Sequence, residues 1–164
     1  MNTLPLGTPA PAFTATTLSG ETLSSTGLEA GPVAICFSLP DVYAGRLVVG
    51  YLRRLKEQAP QAAVVVILQG DEAAVRRYAE GYLANLLVVH DADLALSRAY
   101  RATHVPTIYY LEEGTIKLAF TGFVKSALNK LAELAAAATG AKAKELIAPS
   151  DNKGEYELAE RGLA

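Results

Sequence analysis

The side chains best suited to redox or acid–base chemistry are few in this sequence of 164 residues, which has one cysteine and two histidines. The cysteine, Cys36, lies inside the apolar run 33–37, and such a run predicts a strand that is covered on both faces. Burial raises the pKa of a thiol and makes it unreactive. We therefore predict a structural core cysteine. The alternative is an oxidant-sensitive thiol, which would need an external thiol to complete a redox cycle because no second cysteine is present.

Histidine and carboxylate side chains give no clear metal-binding pattern. His90 stands at a predicted strand end just before Asp91 and Asp93, and two carboxylates in this position predict the cap of a short helix. A hard cation would need further acids at ligand spacing. We therefore predict no metal and no other cofactor. His104 is interpreted as a loop histidine that makes a backbone hydrogen bond, with a general base or a ligand as the alternative.

Composition and charge restrict the class of protein. The formal net charge is −2, the isoelectric point is about 5.7, and no lysine or arginine run is present, which argues against a nucleic-acid partner. No apolar run reaches the roughly 20 residues that a membrane-spanning helix needs, and residues 1–7 lack the features of a signal peptide. We expect a cytoplasmic protein with no membrane partner and one globular domain.

Apolar periodicity predicts alternating strands and helices. Continuous apolar runs predict strands, and apolar residues at helical spacing predict helices that Pro60 and Gly140 end. Two strands separated by Glu112, Glu113 and Gly114 predict a hairpin. The predicted order β-α-β-α-β-α-β-β-α favours a mixed sheet covered by helices. The predicted strands are 33–37, 63–68, 86–89, 107–111 and 115–120. The predicted helices are 43–59 with Asp41 as its N-cap, one with Asp71 as its N-cap, one ending at Tyr100, and 125–138.

The two ends of the chain differ from the middle. Residues 1–30, rich in proline, glycine, serine and threonine, predict an N-terminal extension with two short extended pieces around a turn at 19–21. Residues 141–164 are charged, with the turn-forming run 149–154 in the middle, and predict a tail that is partly helical or disordered, with weak helical pieces at 142–148 and 156–161. We therefore predict a domain over residues 1–140 and a separate tail over residues 141–164.

Three segments carry a resemblance to a known family. Residues 7–13 with 18–20, the segment Val105-Pro106-Thr107, and residues 113–116 followed by Gly122 resemble parts of the thioredoxin-like superfamily. The resemblance is to the branch with the alkyl hydroperoxide reductase/thiol-specific antioxidant (redoxin) proteins and the thiol–disulfide oxidoreductases of cytochrome maturation. It implies an α/β thioredoxin-like fold, a central mixed sheet with helices on both faces, and a cis-proline loop at Pro106.

The same resemblance places the family's two redox cysteines on Val42 and Gly45, neither of which is a cysteine. The family needs a thiolate at a helix N-terminus, where its pKa is lowered, and a second thiol that resolves the mixed disulfide. Cys36 falls where many relatives hold a buried polar or acidic residue. The peroxidase pattern matched from Pro40 places its cysteine on Leu47 and fails as well.

The resemblance therefore implies a redox-inactive member of the superfamily, acting as a non-catalytic protein-binding or peptide-binding module. The cis-proline segment implies a groove in which a partner peptide pairs as an added strand. The predicted binding residues are Val42, Tyr43, His104, Val105 and Pro106. Two expectations stay open: the protein forms a homodimer, or it is a thiol-dependent oxidoreductase, antioxidant or redox sensor that acts through Cys36.

Overall fold

The structure, a computed structural model, describes residues 2–157 and 159–164. The strands are β1 (Thr14–Thr16), β2 (Thr22–Ser24), β3 (Val33–Ser38), β4 (Ala63–Leu68), β5 (Leu87–His90), β6 (His104–Val105), β7 (Thr107–Glu112), β8 (Thr115–Thr121), β9 (Phe123–Val124), β10 (Tyr156–Glu157) and β11 (Glu160–Arg161). The helices are α1 (Ser25–Leu28), α2 (Tyr43–Gln58), α3 (Glu72–Tyr82), α4 (Ala95–Ala99) and α5 (Lys125–Thr139), with a 3₁₀ turn at Pro149–Asp151.

A five-stranded mixed sheet in the order β5-β4-β3-β7-β8 forms the centre of the fold. Strands β3, β4 and β5 are parallel, whereas β7 is antiparallel to both β3 and β8. All six residues of β3 are buried, because this strand has neighbours on both edges and layers on both faces. The predicted mixed α/β sheet with flanking helices is confirmed.

The two faces of β3 belong to different halves of the core. Ala34 and Cys36 pack in a cluster with buried side chains of α2, α3 and α5. Ile35 and Phe37 point the other way, into a cluster that includes Phe13 from the N-terminal segment and Tyr100 from the end of α4. This division follows from the alternation of side chains along a strand.

Local sequence signals account for several element boundaries. Asp71 accepts a hydrogen bond from the Ala74 N–H, 3.1 Å away, and so caps α3 as predicted. Glu113 and Gly114 form the turn of the predicted β7–β8 hairpin with φ of +51° and +76°, the two positive values of a type I′ turn. Gly140 ends α5 in the left-handed conformation with φ of +73°.

The C-terminal residues differ from the prediction. Residues 142–148 contain no helix. The second predicted piece, 156–161, contains the strands β10 and β11 instead, while Leu158 lies outside the described residues. Beyond residue 140, Leu146 and Ile147 are fully buried in the core cluster that contains α2 and α5. These two apolar side chains hold the tail to the domain, which local composition does not reveal.

Polar contacts reinforce this attachment. The Arg54 guanidinium on α2 donates to the Leu146 carbonyl at 3.0 Å and to the Asp151 carboxylate at 2.8 Å. Asn129 on α5 accepts a hydrogen bond from the Ile147 N–H at 2.8 Å. Among the described residues, no helix is long and apolar enough to cross a membrane.

Leu146→Ala tests whether the tail belongs to the core. We expect it to lower the free energy of unfolding by about 2–5 kcal/mol, since Leu146 is fully buried. The matched control is Leu163→Ala, for which we expect a change within about 0.5 kcal/mol because Leu163 is 56% exposed. Urea unfolding measures both values. Equal, small losses would mean that the segment around Leu146 is not packed as the structure describes.

Candidate functional site

The junction between β3 and α2 is the place where the predicted cysteine pair would lie. The strand ends at Ser38, and α2 begins at Tyr43 with Val42 as its N-cap residue and no side-chain cap. Asp41, the N-cap predicted from the sequence, does not cap the helix. Its carboxylate lies 3.7 Å from the Arg46 guanidinium, and both side chains are largely exposed, so this ion pair is weak.

Arg46 contributes more to the junction through its other contacts. Its Nε donates to the Pro40 carbonyl at 2.6 Å, which ties the loop to the first turn of α2. Its guanidinium lies over the rings of Tyr78 and Tyr82, at 5.1 and 5.6 Å from their centroids. These cation–π contacts join the N-terminal turn of α2 to α3.

Val42 and Gly45 have the separation of a disulfide-bonded pair. A Cβ built on Gly45 would lie 3.7 Å from the Cβ of Val42, and disulfide-bonded cysteines have Cβ atoms about 3.5–4.5 Å apart. The same Cβ would overlap the Oγ of Ser38, which occupies the space beside Gly45. Val42 is buried, with 5% of its surface exposed, so its apolar side chain fills the first position of the pair.

Ser38 is a site residue that the sequence analysis missed. It is buried at the end of β3, and its hydroxyl lies where a side chain on residue 45 would be. Side-chain alternation was the available signal, because Ser38 and Cys36 share a face of β3 and that face meets α2. The predicted buried polar position of the family corresponds to Cys36, but the polar side chain next to the pair is that of Ser38.

Cys36 itself lies in the interior of the sheet, away from the helix N-terminus. It is paired between Val66 of β4 and Ile108 of β7, and none of its surface is exposed. This burial raises the pKa of its thiol from the ordinary 9.0 to about 12. At neutral pH the nucleophilic thiolate is therefore almost absent.

The second half of the predicted site, the segment before Pro106, is close-packed. The Val105–Pro106 peptide bond is cis, and both residues are buried. His104 is half-buried, with its Nδ1 at 3.1 Å from the Thr103 hydroxyl, and its carbonyl accepts a hydrogen bond from the Thr107 hydroxyl at 2.6 Å. The ring contact is therefore to a side-chain hydroxyl and not to the backbone as predicted.

The chain's own C-terminal strand pairs with the edge that was predicted to receive a partner. Strand β11 is antiparallel to β6, with Glu160 opposite Val105 and Arg161 opposite His104. The Gly162 N–H then donates to the Thr103 carbonyl at 2.8 Å. The predicted open groove is thus filled by residues that the sequence analysis assigned to a separate tail.

Three of the five predicted binding residues are buried. Val42, Val105 and Pro106 are buried, whereas Tyr43 is 61% exposed at the first position of α2. Tyr82 on α3 is exposed by 54%. Of the five predicted binding residues, Tyr43 therefore presents the largest accessible side chain, with His104 half-buried.

A buried polar network lies next to the end of β11, and the sequence analysis missed it too. Gln69, directly after β4, donates through Nε2 to the Ser97 hydroxyl at 3.0 Å and accepts through Oε1 from the Leu163 N–H at 2.8 Å. The Ser97 hydroxyl donates to the Asp91 carboxylate at 2.6 Å. A glutamine directly after an apolar strand was the signal, because a buried amide needs partners.

The acidic residues Asp91 and Asp93 cap a short helix, as predicted. Asp91 accepts hydrogen bonds from Leu96 and Ser97, and Asp93 accepts one from Ala95, so both serve the start of α4. His90 Nε2 lies 2.7 Å from the Gly70 carbonyl. Within the described parts of the chain, no group of three or more histidine, cysteine or acidic residues is placed to hold a metal ion.

Comparisons with known proteins identify the fold. No protein-family model matches the chain, and no curated protein matches it in sequence. Among solved structures, it resembles a secreted disulfide oxidoreductase of Mycobacterium tuberculosis with a TM-score of 0.65 and 22% identity, over 76% of this chain and 95% of that one.

Two further structures give the same result. The thioredoxin domain of a thiol-disulfide oxidoreductase from Bacteroides vulgatus matches with a TM-score of 0.70 and 18% identity, over 80% of this chain and 99% of that one. A thiol:disulfide interchange protein of the thioredoxin family from Chlorobium tepidum matches with a TM-score of 0.69 and 19% identity, over 80% and 97%. This protein therefore has the thioredoxin-like fold.

Proposed function

We propose that this protein is a thioredoxin-like domain without thiol–disulfide exchange activity, which binds an extended segment of a partner protein at the His104–Val105 edge. The observation that carries the proposal is the geometry of Val42 and Gly45. Their positions have the separation of a disulfide, yet neither residue carries sulfur. The neighbours in fold are oxidoreductases, and the chemistry their names describe needs sulfur at such a site.

The sole cysteine does not replace the missing pair. An attacking thiol must be ionised and reach its substrate, whereas Cys36 is fully buried and its pKa is raised to about 12. Its side chain packs between the sheet and the buried side chains of α2, α3 and α5, so exposure of the thiol requires these helices to move away from the sheet. These facts argue against the alternative of a redox enzyme or sensor that uses Cys36.

The binding part of the proposal is supported by strand pairing at β6. An extended segment already lies antiparallel on this edge, because β11 pairs with it through the main chain. Main-chain pairing of this kind is a general way of binding peptides, in which the backbone supplies affinity and side-chain contacts supply specificity. The edge can therefore accommodate a strand with the direction and spacing of β11.

Activity assays test the absence of redox chemistry. We expect the wild-type protein to reduce insulin disulfides, with dithiothreitol as reductant, no faster than buffer does, and to consume no hydrogen peroxide above the background. Cys36→Ser should give the same rates, because Cys36 reaches no substrate. Turnover in the wild type that disappears in Cys36→Ser would establish the alternative, a single-cysteine redox protein.

Stability against pH tests the state of Cys36. The folded protein keeps the Cys36 proton up to a pKa of about 12, whereas the unfolded chain loses it near 9.0. This stabilisation is complete below the unfolded pKa and falls as the pH rises towards the folded one. We expect the wild-type free energy of unfolding to fall relative to that of Cys36→Ala by about 1.4 kcal/mol per pH unit above about pH 9.5. A constant difference in urea unfolding would mean an accessible thiol.

Restoring the cysteine pair tests its position. In a Cys36→Ser background, we expect Val42→Cys with Gly45→Cys and Ser38→Ala to form an intramolecular disulfide, because the Cβ separation fits and the overlapping hydroxyl is removed. Alkylation followed by mass spectrometry counts the free thiols. The matched control replaces Gly45→Cys by Gly50→Cys, which is exposed two helical turns or more from Val42 and should leave both thiols free. Two free thiols in the folded test variant would refute the proposed pair.

A further inference from the structure

The tail consists of two parts that are held by different forces. Residues 141–151 include the buried pair Leu146 and Ile147, together with the Arg54–Asp151 ion pair. From residue 152 onwards, no side chain is buried among those that the structure describes, which are 152–155 and 159–164. The hydrophobic effect therefore holds the first part to the domain, and the second part depends on hydrogen bonds.

Those hydrogen bonds are accompanied by little buried apolar surface. Beyond the β10–β9 and β11–β6 pairings, Gly162 donates to Thr103 and Leu163 donates to Gln69. Nearer the start of this part, the Glu155 carboxylate accepts from the Ser126 N–H at 3.2 Å, at the N-terminal end of α5. Segments with exposed backbone hydrogen bonds and little buried apolar surface open at low free energy. The last residues can therefore detach while Leu146 and Ile147 stay in place.

The polar network around Gln69 requires a backbone N–H from the residues that follow β11. The Asp91 carboxylate accepts the Ser97 hydroxyl proton, so the Ser97 oxygen accepts from the Gln69 amide. A second bond, from the Gln69 amide to the Ala102 carbonyl at 3.3 Å, holds the same orientation. The Gln69 Oε1 is thereby turned towards the strand, where it accepts from the Leu163 N–H. A segment without an N–H at this position would leave a buried oxygen unpaired.

The position before Leu163 is too tight for a side chain unless its neighbours move. A Cβ on Gly162 would lie 2.8 Å from Gln69 Oε1, 3.2 Å from Val105 Cγ1 and 3.3 Å from the Thr103 carbonyl oxygen. The first of these distances is shorter than real Cβ contacts, and the Gln69 amide is held in place by its hydrogen bonds to Ser97 and Ala102. This subsite of the β6 edge is therefore shaped for glycine.

We propose that residues 160–163 are an intramolecular ligand of the β6 edge, which a partner segment with glycine followed by a residue other than proline must displace. Gln69 is the residue that selects this segment, through its Oε1. The inference rests on the proposed function, because it describes how the same edge is regulated and which sequence it accepts.

Two pairs of full-length variants test the docking of the strand. Gly162→Val places a side chain against Gln69 and should release the strand, whereas Gly154→Val, in the same tail with no atom near its added Cβ, should not. Leu163→Pro removes the N–H that Gln69 binds, and Leu163→Ala keeps it. Leu163 is exposed, so neither change at this position disturbs the core. Circular dichroism verifies that each variant is folded.

Amide hydrogen exchange, followed by NMR, reports the release. We expect the Leu163 amide in Gly162→Val and the Gly162 amide in Leu163→Pro to lose protection by roughly tenfold or more. Both amides should keep their wild-type protection in the Gly154→Val and Leu163→Ala controls. Unchanged protection in both test variants would overturn the proposal that these contacts hold the strand.

A labelled peptide with the sequence of residues 159–164 and an amidated C-terminus then probes the edge. Fluorescence anisotropy should show binding to Gly162→Val and Leu163→Pro roughly tenfold or more tighter than to the wild type and the two controls, because the strand no longer competes. A peptide with valine in place of its glycine should not bind.

Failure of this inference and failure of the proposed function give different peptide-binding results. If wild type and released variants bind the peptide equally well, the strand is not a competitor, although the edge still binds peptides, and the inference fails alone. If the valine peptide binds as well as the glycine peptide, the selectivity is wrong. If the exchange data show release and no peptide binds to any variant, the binding part of the proposed function fails together with the inference.

Discussion

The burial of β3 is the constraint on which the rest of the structure depends. This strand is paired with β4 on one edge and β7 on the other, and helices or the N-terminal segment cover both faces. Its apolar side chains fix the sheet, and its last residue determines where α2 begins. The same burial removes the sole thiol from solvent.

The start of α2 has the spacing of a disulfide site but not its sulfur atoms. The start of α2 retains the spacing that a disulfide needs, with Val42 and Gly45 facing each other, but a valine side chain and a serine hydroxyl fill the site. A thiol in the sheet interior cannot compensate, because neither water nor a substrate reaches it. The chain thus has the fold of the oxidoreductases that it resembles, with valine and glycine at the two paired positions.

The sequence predicted the elements whose stability is local or strongly patterned. The strands 33–37 and 63–68, the helix after Pro40, the Asp71 cap and the hairpin at Gly114 all rest on apolar runs or on residues with special backbone preferences, and the structure has them. The sequence also indicated the burial of Cys36, since its neighbours in the strand are apolar.

What the sequence did not predict depends on contacts between distant residues. The tail is rich in charged residues, and its order comes from the packing of Leu146 and Ile147 and from main-chain bonds to β6 and β9. The apolar pair 146–147 was a weak signal of this. Asp41 was a plausible cap, but its carboxylate faces Arg46, and the roles of Ser38 and Gln69 become visible only once the chain is folded.

The attachment of the tail at Leu146 and Ile147 raises the local concentration of strand β11 at the β6 edge. A strand tethered about a dozen residues from a fixed anchor meets its own edge at an effective concentration of order millimolar, far above that of most proteins in a cell. A free segment with the same few hydrogen bonds would lose this competition. Under the proposed function, a partner would have to make contacts beyond those of the strand itself. The tether would thus set a threshold of affinity that weakly binding strands do not reach.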